Sequence, residues 1–288
     1  MRRLRFFSAI LLIFLFPSCI NKNSMQKVDA EQVSNSDNAA GDNSADDNAA
    51  GDNNVETDFS ASLAEVLAKA QLPAQIRQRI SGNAGNPAFL LDLFTVLQED
   101  PYLWVLVDKE HALGENYEPD DLVALTGGSY RIGRQDLRLR RCAAEALEEM
   151  AAAAAREGIT LTASSSYRTY AYQVEVYARN VREMGREAAD RESARPGHSQ
   201  HQLGLVIDFG SITDAFAKTA EGVWLAANAS RFGWSLSYPD GYEEITGYRW
   251  ESWHYRYVGV ELAQFIDNYF DGIQQYALRF IYEWVNRD

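Results

Sequence analysis

The sequence predicts an α+β fold with a mostly antiparallel central sheet flanked by helices. Three observations lead there. Helix-spaced and strand-like segments follow one another without the regular alternation that builds an all-parallel sheet. The 288 residues are 46% apolar, enough to bury a sizeable core. Two cysteines cannot make a disulfide framework, so packing or a metal must hold the fold. The net charge of -14 excludes nucleic acid as the main partner, because phosphate binding needs a basic face. No apolar run reaches the roughly 20 residues of a membrane-spanning helix, which excludes a polytopic membrane protein.

The chain opens on an address. Arg2, Arg3 and Arg5 precede an apolar run from Phe6 to Phe16, and Pro17-Ser18 lead into Cys19. A basic start, an apolar stretch and a small residue before the cut form an export signal. The reading is a signal peptide over residues 1–18 and a lipid-bearing Cys19. It places an exported bacterial lipoprotein on a membrane facing the periplasm or cell wall. Residues 20–58 hold no aromatic residue, repeat DNAAGDN at 37–43 and 47–53, and carry two Lys against nine acidic side chains. Such a segment cannot bury enough apolar area to offset its ordering entropy, so residues 19–58 are expected to be a disordered acidic tether. The chain's acidity is concentrated there and says little about a substrate.

The folded part is expected from Phe59, with residues 59–100 as a helical extension and 101–288 as the main domain. Ser62–Ala70 and Pro87–Leu97 space their apolar residues as helices do. Leu103–Asp108 is a short continuous apolar run, expected to be a buried strand. Gly114–Leu125 is expected to be a loop followed by a short turn. Leu137–Arg156 predicts a long helix with the stripe Leu139, Ala143, Leu147 and Met150, ended by Gly158. Cys142 on that helix is expected to be a small buried hydrophobe. Ile159–Ala163 is strand-like and Tyr170–Met184 helical. Leu203–Phe209 is strand-like, Trp224–Phe232 helical, Trp234–Tyr238 and Tyr248–Tyr257 strand-like, and Glu261–Phe270 an amphipathic helix.

Chemistry-bearing residues are few. Of four histidines, His201 is followed seven residues later by Asp208 with Gly204 between them, and His254 is preceded by Glu251. Two neutral imidazoles and a carboxylate give a tetrahedral zinc three ligands and leave the fourth position to water. A nearby carboxylate such as Glu251 then serves as proton acceptor. Gly204 permits a tight bend that turns His201 and Asp208 toward one point. Against this, an offset of three on an ideal strand puts Glu251 and His254 on opposite faces, so the pairing needs a bend. The spacing alone leaves both the metal site and ordinary packed histidines open.

The string Ser199-Gln200-His201-Gln202-Leu203-Gly204-Leu205-Val206-Ile207-Asp208 resembles a motif of the VanY-like D-alanyl-D-alanine carboxypeptidases, members of the LAS zinc peptidases. Glu251-Ser252-Trp253-His254-Tyr255-Arg256-Tyr257-Val258-Gly259 is similar to a second motif of that family. Ser166-Tyr167-Arg168-Thr169 with Gln173 is similar to a third, Val107-Asp108-Lys109 through Tyr117-Pro119-Asp121-Leu122 resembles its opening segment, and Thr246-Gly247-Tyr248 precedes the Glu as the pattern requires. The likeness covers roughly residues 102–265. It implies a LAS/hedgehog-like peptidase fold with one catalytic Zn2+ on the sheet, held by His201, Asp208 and His254. It implies Glu251 as general base, Arg168 beside the developing oxyanion or a nearby substrate charge, and Ser199 and Gln173 as contacts to the peptide. Ser252 stands where the family often has Pro, and Ser237 where Arg is common, both expected on the pocket wall. His198 and His111 are expected at the surface or supporting the site, Trp253 and Tyr255 in packing, and Arg256 in a structural ion pair. The function so implied is removal of the C-terminal D-alanine from peptidoglycan stem peptides, of the D-Ala-D-Ala or tetrapeptide kind. An endopeptidase of the same fold and a non-catalytic zinc-stabilised wall-binding module are the alternatives.

Overall fold

A computed structural model of the chain describes residues 49–287, with side chains from Phe59 onward. The expected signal peptide, Cys19 and the tether up to residue 48 lie outside the described residues. Helix α1 spans Ala49–Lys69, so it begins ten residues before the expected start of the folded part. Its apolar stripe of Leu63, Val66 and Leu67 is buried, and the polar residues upstream extend the same helix. Helix α2 (Ala74–Gly82) and α3 (Pro87–Gln98) follow. Asn86 caps α3 by accepting from the Ala88 backbone N–H, and Pro87 sits at its first turn, where no N–H is needed.

The main domain runs through strands β1 (Leu122–Ala124), β2 (Arg131–Ile132) and β3 (Arg138–Arg140), then helix α4 (Arg141–Arg156) and β4 (Thr162–Ser165). Helices α5 (Tyr170–Met184) and α6 (Arg186–Glu192) precede β5 (Val206–Phe209), α7 (Ala220–Asn228), β6 (Trp234–Leu236) and α8 (Glu243–Thr246). Strand β7 (His254–Tyr257) and helices α9 (Val260–Tyr269) and α10 (Gln274–Val285) complete the described chain.

Five strands form one sheet in the order β2-β4-β5-β7-β6, and β1 pairs with β3 in a separate antiparallel ribbon. The sheet is mixed, a correction to the mostly antiparallel sheet expected. β2 runs parallel to β4, whereas β4, β5, β7 and β6 pair antiparallel. The cause lies between β2 and β4: the chain returns through α4, and such a helical crossover brings a strand back in the same direction. Alternation then sorts the fully buried β5. Ile207 and Phe209 enter a core with Trp234, Tyr255 and the α4 stripe of Leu147, Met150 and Ala154. Val206 and Asp208 occupy the opposite face.

A second core joins the N-terminal helices to the C-terminal ones. Phe89 of α3 stacks on Phe265 and meets Tyr269 edge-on, and Phe59 of α1 lies against Trp284 of α10. Residues 59–100 thus brace α9 and α10.

Several expected elements differ. The turn expected at the end of Gly114–Leu125 is strand β1, paired with β3, and the strand expected from Leu203 begins at Val206 because Gln200–Leu203 form a 3-10 turn. Leu103–Asp108 is not a strand; the chain leaves a 3-10 turn at Pro101–Leu103 and runs irregularly, its carbonyls at 103 and 105 taken by the Arg256 guanidinium instead of a neighbouring strand. The helix expected from Leu137 starts at Arg141, because Arg138–Arg140 pair with β1. The long strand expected over Tyr248–Tyr257 shrinks to His254–Tyr257, with Glu251 in the turn before it. Cys142 is buried on α4 as expected.

Candidate active site

Asp208 and His254 are direct cross-strand partners of β5 and β7, and Ser165 of β4 pairs with Asp208 on its other side. Partners at such positions project from one face with Cβ atoms roughly 4.5–5.5 Å apart, so register alone brings the carboxylate to the imidazole. His201 arrives from a 3-10 turn over Gln200–Leu203, which ends on Gly204 at φ +71°. That left-handed residue swings the chain into β5. A Cβ there would lie 2.8 Å from Leu122 Cδ2. Gly204→Ala is therefore expected to cost about 2–3 kcal/mol, from left-handed backbone strain plus overpacking. Chemical denaturation measures it, and an unchanged midpoint would show that the turn accepts a side chain freely.

The three ligand candidates are all buried, and their donor atoms lie within 4.8 Å of one another. His201 Nε2 is 3.3 Å from Asp208 Oδ2, and His254 Nδ1 is 3.2 Å from Asp208 Oδ1. A tetrahedral ion with bonds of about 2.0–2.1 Å spaces its ligand atoms by roughly 3.3 Å, so these pairs already sit at coordination spacing. Asp208 Oδ1 is buried with no hydrogen-bond partner among the described residues, since its approach to His254 lacks hydrogen-bond geometry. An orphaned buried carboxylate oxygen is costly unless a cation meets it. Donor type, spacing and that orphaned oxygen fit a divalent metal.

The histidine tautomer follows from its partners. His201 Nδ1–H donates to the Ser166 carbonyl at 2.7 Å, and Arg168 Nη2 donates to His201 Nε2 at 2.7 Å and to Asp208 Oδ2 at 3.2 Å. The Nε2 lone pair thus faces the site, oriented as metal-binding imidazoles are by a carbonyl behind them. Burial and then the Arg168 charge push His201 down to about 4, so it is neutral near pH 7. His254 behaves oppositely. Burial lowers it, but Asp208 and Glu251 outweigh that and raise it to about 9. Burial alone would raise Asp208; the two imidazoles hold it well below the usual carboxylate range.

Glu251 solves its offset problem by preceding the strand. The His254 N–H donates to the Glu251 carbonyl at 3.3 Å, closing a turn that sets Glu251 Oε2 3.3 Å from His254 Nδ1. Glu251, Arg168, Ser199 and the three ligand candidates line one cavity of about 260 Å³. Gln173 does not line it. Its buried amide accepts from Arg168 Nη1 at 3.1 Å and donates to the Ala194 carbonyl at 2.7 Å, so it holds Arg168 in place from behind. Ser237 is also off the wall: its hydroxyl donates to Gln200 Oε1 at 2.8 Å, and that oxygen faces His254 Nε2 at 3.3 Å. Gln200 and Ser237 therefore fix the His254 ring. Sequence reasoning missed this, although a polar residue beside His201 in the motif was the signal available. Arg140, also unforeseen, ties Asp121 and the Tyr117 hydroxyl to the Leu203 carbonyl, clamping the turn that carries His201.

His198 donates from Nδ1 to the Asp108 carbonyl, and His111 pairs with the Asp108 carboxylate at 2.8 Å, so both stand outside the ligand set. Trp253 and Tyr255 pack in the sheet core. Arg256 corrects the expectation of an ion pair: it is fully buried and meets two backbone carbonyls, with no carboxylate partner among the described residues.

The VanY family model, described as D-alanyl-D-alanine carboxypeptidase, matches residues 136–260. A D-alanyl-D-alanine carboxypeptidase of Enterococcus faecalis is 33% identical over 217 residues, covering 70% of this chain and 77% of that protein. The chain belongs to the VanY family of D-alanyl-D-alanine carboxypeptidases. Solved structures of the family are similar to this chain. The LdcB LD-carboxypeptidase matches with a TM-score of 0.54 at 37% identity, over 59% of this chain and 86% of that one. A mutant VanY D,D-pentapeptidase, solved in complex with Zn(II), matches with a TM-score of 0.52 at 31% identity, over 64% of this chain and 99% of that one. The residues matched by the family model include the three ligand candidates and Glu251, while the Val107–Leu122 segment and helices α1, α2, α3 and α10 lie outside them.

Proposed function

We propose that this VanY-family chain is a zinc-dependent carboxypeptidase that removes the C-terminal D-alanine from peptidoglycan stem peptides. One observation carries the reading: His201, Asp208 and His254 converge at coordination spacing with Glu251 and Arg168 on the same cavity wall. Zinc held by these three side chains would supply a Lewis acid and a water acidic enough to attack near neutral pH. Glu251 accepts the proton of the attacking water and returns it to the nitrogen of the departing D-alanine, so that amine leaves neutral. Arg168, fixed by Gln173, offers a guanidinium to the oxyanion that develops on the cleaved carbonyl or to the adjoining carboxylate. Ser199, a buried residue on the wall, is placed to hydrogen-bond the peptide terminus. The arginine-rich start and Cys19 support an exported lipoprotein, its acidic segment a leash between membrane and wall.

The test is product analysis on defined penta- and tetrapeptide stems, with and without chelator. Free D-alanine that disappears on chelation and returns with zinc is expected. Cleavage inside the stem without free D-alanine would favour an endopeptidase. Peptide binding without any cleavage would leave a wall-binding module.

A further inference from the structure

A second cavity, of about 200 Å³, adjoins the first. Arg134, Ser165, Arg168 and Tyr172 line both, so the two are arms of one cleft that meet at Arg168. The lateral arm lies between the loop preceding β3 and the run that links β4 to α5. Its cations are Arg134 and Arg138, both exposed, with Asp136 the one carboxylate in its lining. Arg138 lies over the Tyr167 ring, 5.2 Å from its centroid, and neither Arg134 nor Arg138 forms an ion pair with a carboxylate among the described residues. Arg168 at the junction is committed to Gln173, His201 and Asp208. The lateral arm is thus a cationic recess in a chain of net charge -14. The Tyr172 phenol reports the same field: a hydrogen bond from Arg134, then the charges of Arg134, Arg168 and Arg179, hold it below its ordinary value.

Guanidinium forks match carboxylates in geometry and charge. We propose that the lateral arm receives a free carboxylate of the substrate, carried by a residue N-terminal to the cleaved bond, with Arg134 and Arg138 as its partners. The inference rests on the hydrolase reading above and gives that site a second point of recognition. Stem peptides carry two carboxylates of this kind: the α-carboxylate of a γ-linked D-glutamate and, where diaminopimelate is the third residue, its side-chain carboxylate.

The experiment compares kcat/KM of the zinc-loaded full chain on synthetic stems in which each of these carboxylates is either free or amidated. The free acid at one position is expected to be cleaved about ten-fold better than its amide, through KM, and that position names the carboxylate. Arg134→Gln and Arg138→Gln are expected to bring the free-to-amide ratio toward one, and Arg138→Lys to keep part of it. Equal cleavage of free and amidated stems by the parent, or a ratio untouched by both substitutions, overturns the lateral-arm assignment while the hydrolase reading stands. Failure of the parent to cleave any stem overturns the hydrolase reading itself, and the assignment with it.

Discussion

Glu251→Gln is expected to lower D-alanine release by about 10²- to 10⁴-fold while the protein keeps its full complement of zinc. The amide has the carboxylate's shape and leaves an oxygen near His254 Nδ1, where Glu251 Oε2 now lies at 3.3 Å. What it lacks is basicity, so it cannot take a proton from water and return one to the leaving nitrogen. His201→Ala supplies the contrast. It deletes the Nε2 lone pair that stands 3.3 Å from Asp208 Oδ2, and both metal and turnover are expected to go. Metal content by elemental analysis and D-alanine release, measured on the same preparations, separate the roles. Parental turnover in the Gln protein would remove Glu251 from the proton-transfer step, and a full equivalent of zinc in the Ala protein would remove His201 from the ligand set.

The pair also shows what was legible in the sequence. That His201, Asp208, His254 and Glu251 come together was legible through the family motifs, since their spacing alone left ordinary packed histidines open, and the glycine between His201 and Asp208 marked the bend. The helix over Tyr170–Met184 was readable from its period, and so was α3 from Pro87 onward. Long-range hydrogen bonding was not. An apolar run at 103–108 has the composition of a strand, and only the distant Arg256 takes the carbonyls that would have joined a sheet. Gln173 sits in a family motif, which does not say whether its amide faces the peptide or the back of Arg168. The parallel pairing of β2 was hidden because two-residue strands carry almost no periodic signal. Helix α10 was likewise passed over, yet its Gln274 amide donates to the Ser235 carbonyl beside the site and its Trp284 closes the second core.

Arg256→Ala is expected to destabilise the folded chain by about 3–5 kcal/mol, the range for emptying a large buried site while stripping a charged donor from its acceptors. Arg256 is 0% exposed, and its Nη2 donates to the carbonyls of Leu103 and Val105 at 2.9 Å each. It lies two residues after His254 on β7 and pairs there with Val206 of β5 and Ser235 of β6, so one side chain pins the irregular 103–105 segment to the sheet that carries the ligands. Its Nε and Nη1 atoms find no partner among the described residues, and burial without a carboxylate there lowers its pKa to about 10. The site already bears that desolvation cost, so Arg256→Met, which restores volume without charge, is expected to regain much of the loss. What the methionine cannot restore is the pair of carbonyl contacts, worth about 1–3 kcal/mol if left unmet. For a domain of this size a loss of 3–5 kcal/mol moves the midpoint of thermal unfolding by roughly 6–20 °C. Calorimetry of the three proteins reads both differences, and an Arg256→Ala midpoint within 2 °C of the parent would mean that the 103–105 segment is held by its own buried Leu103, Leu106 and Val107 instead.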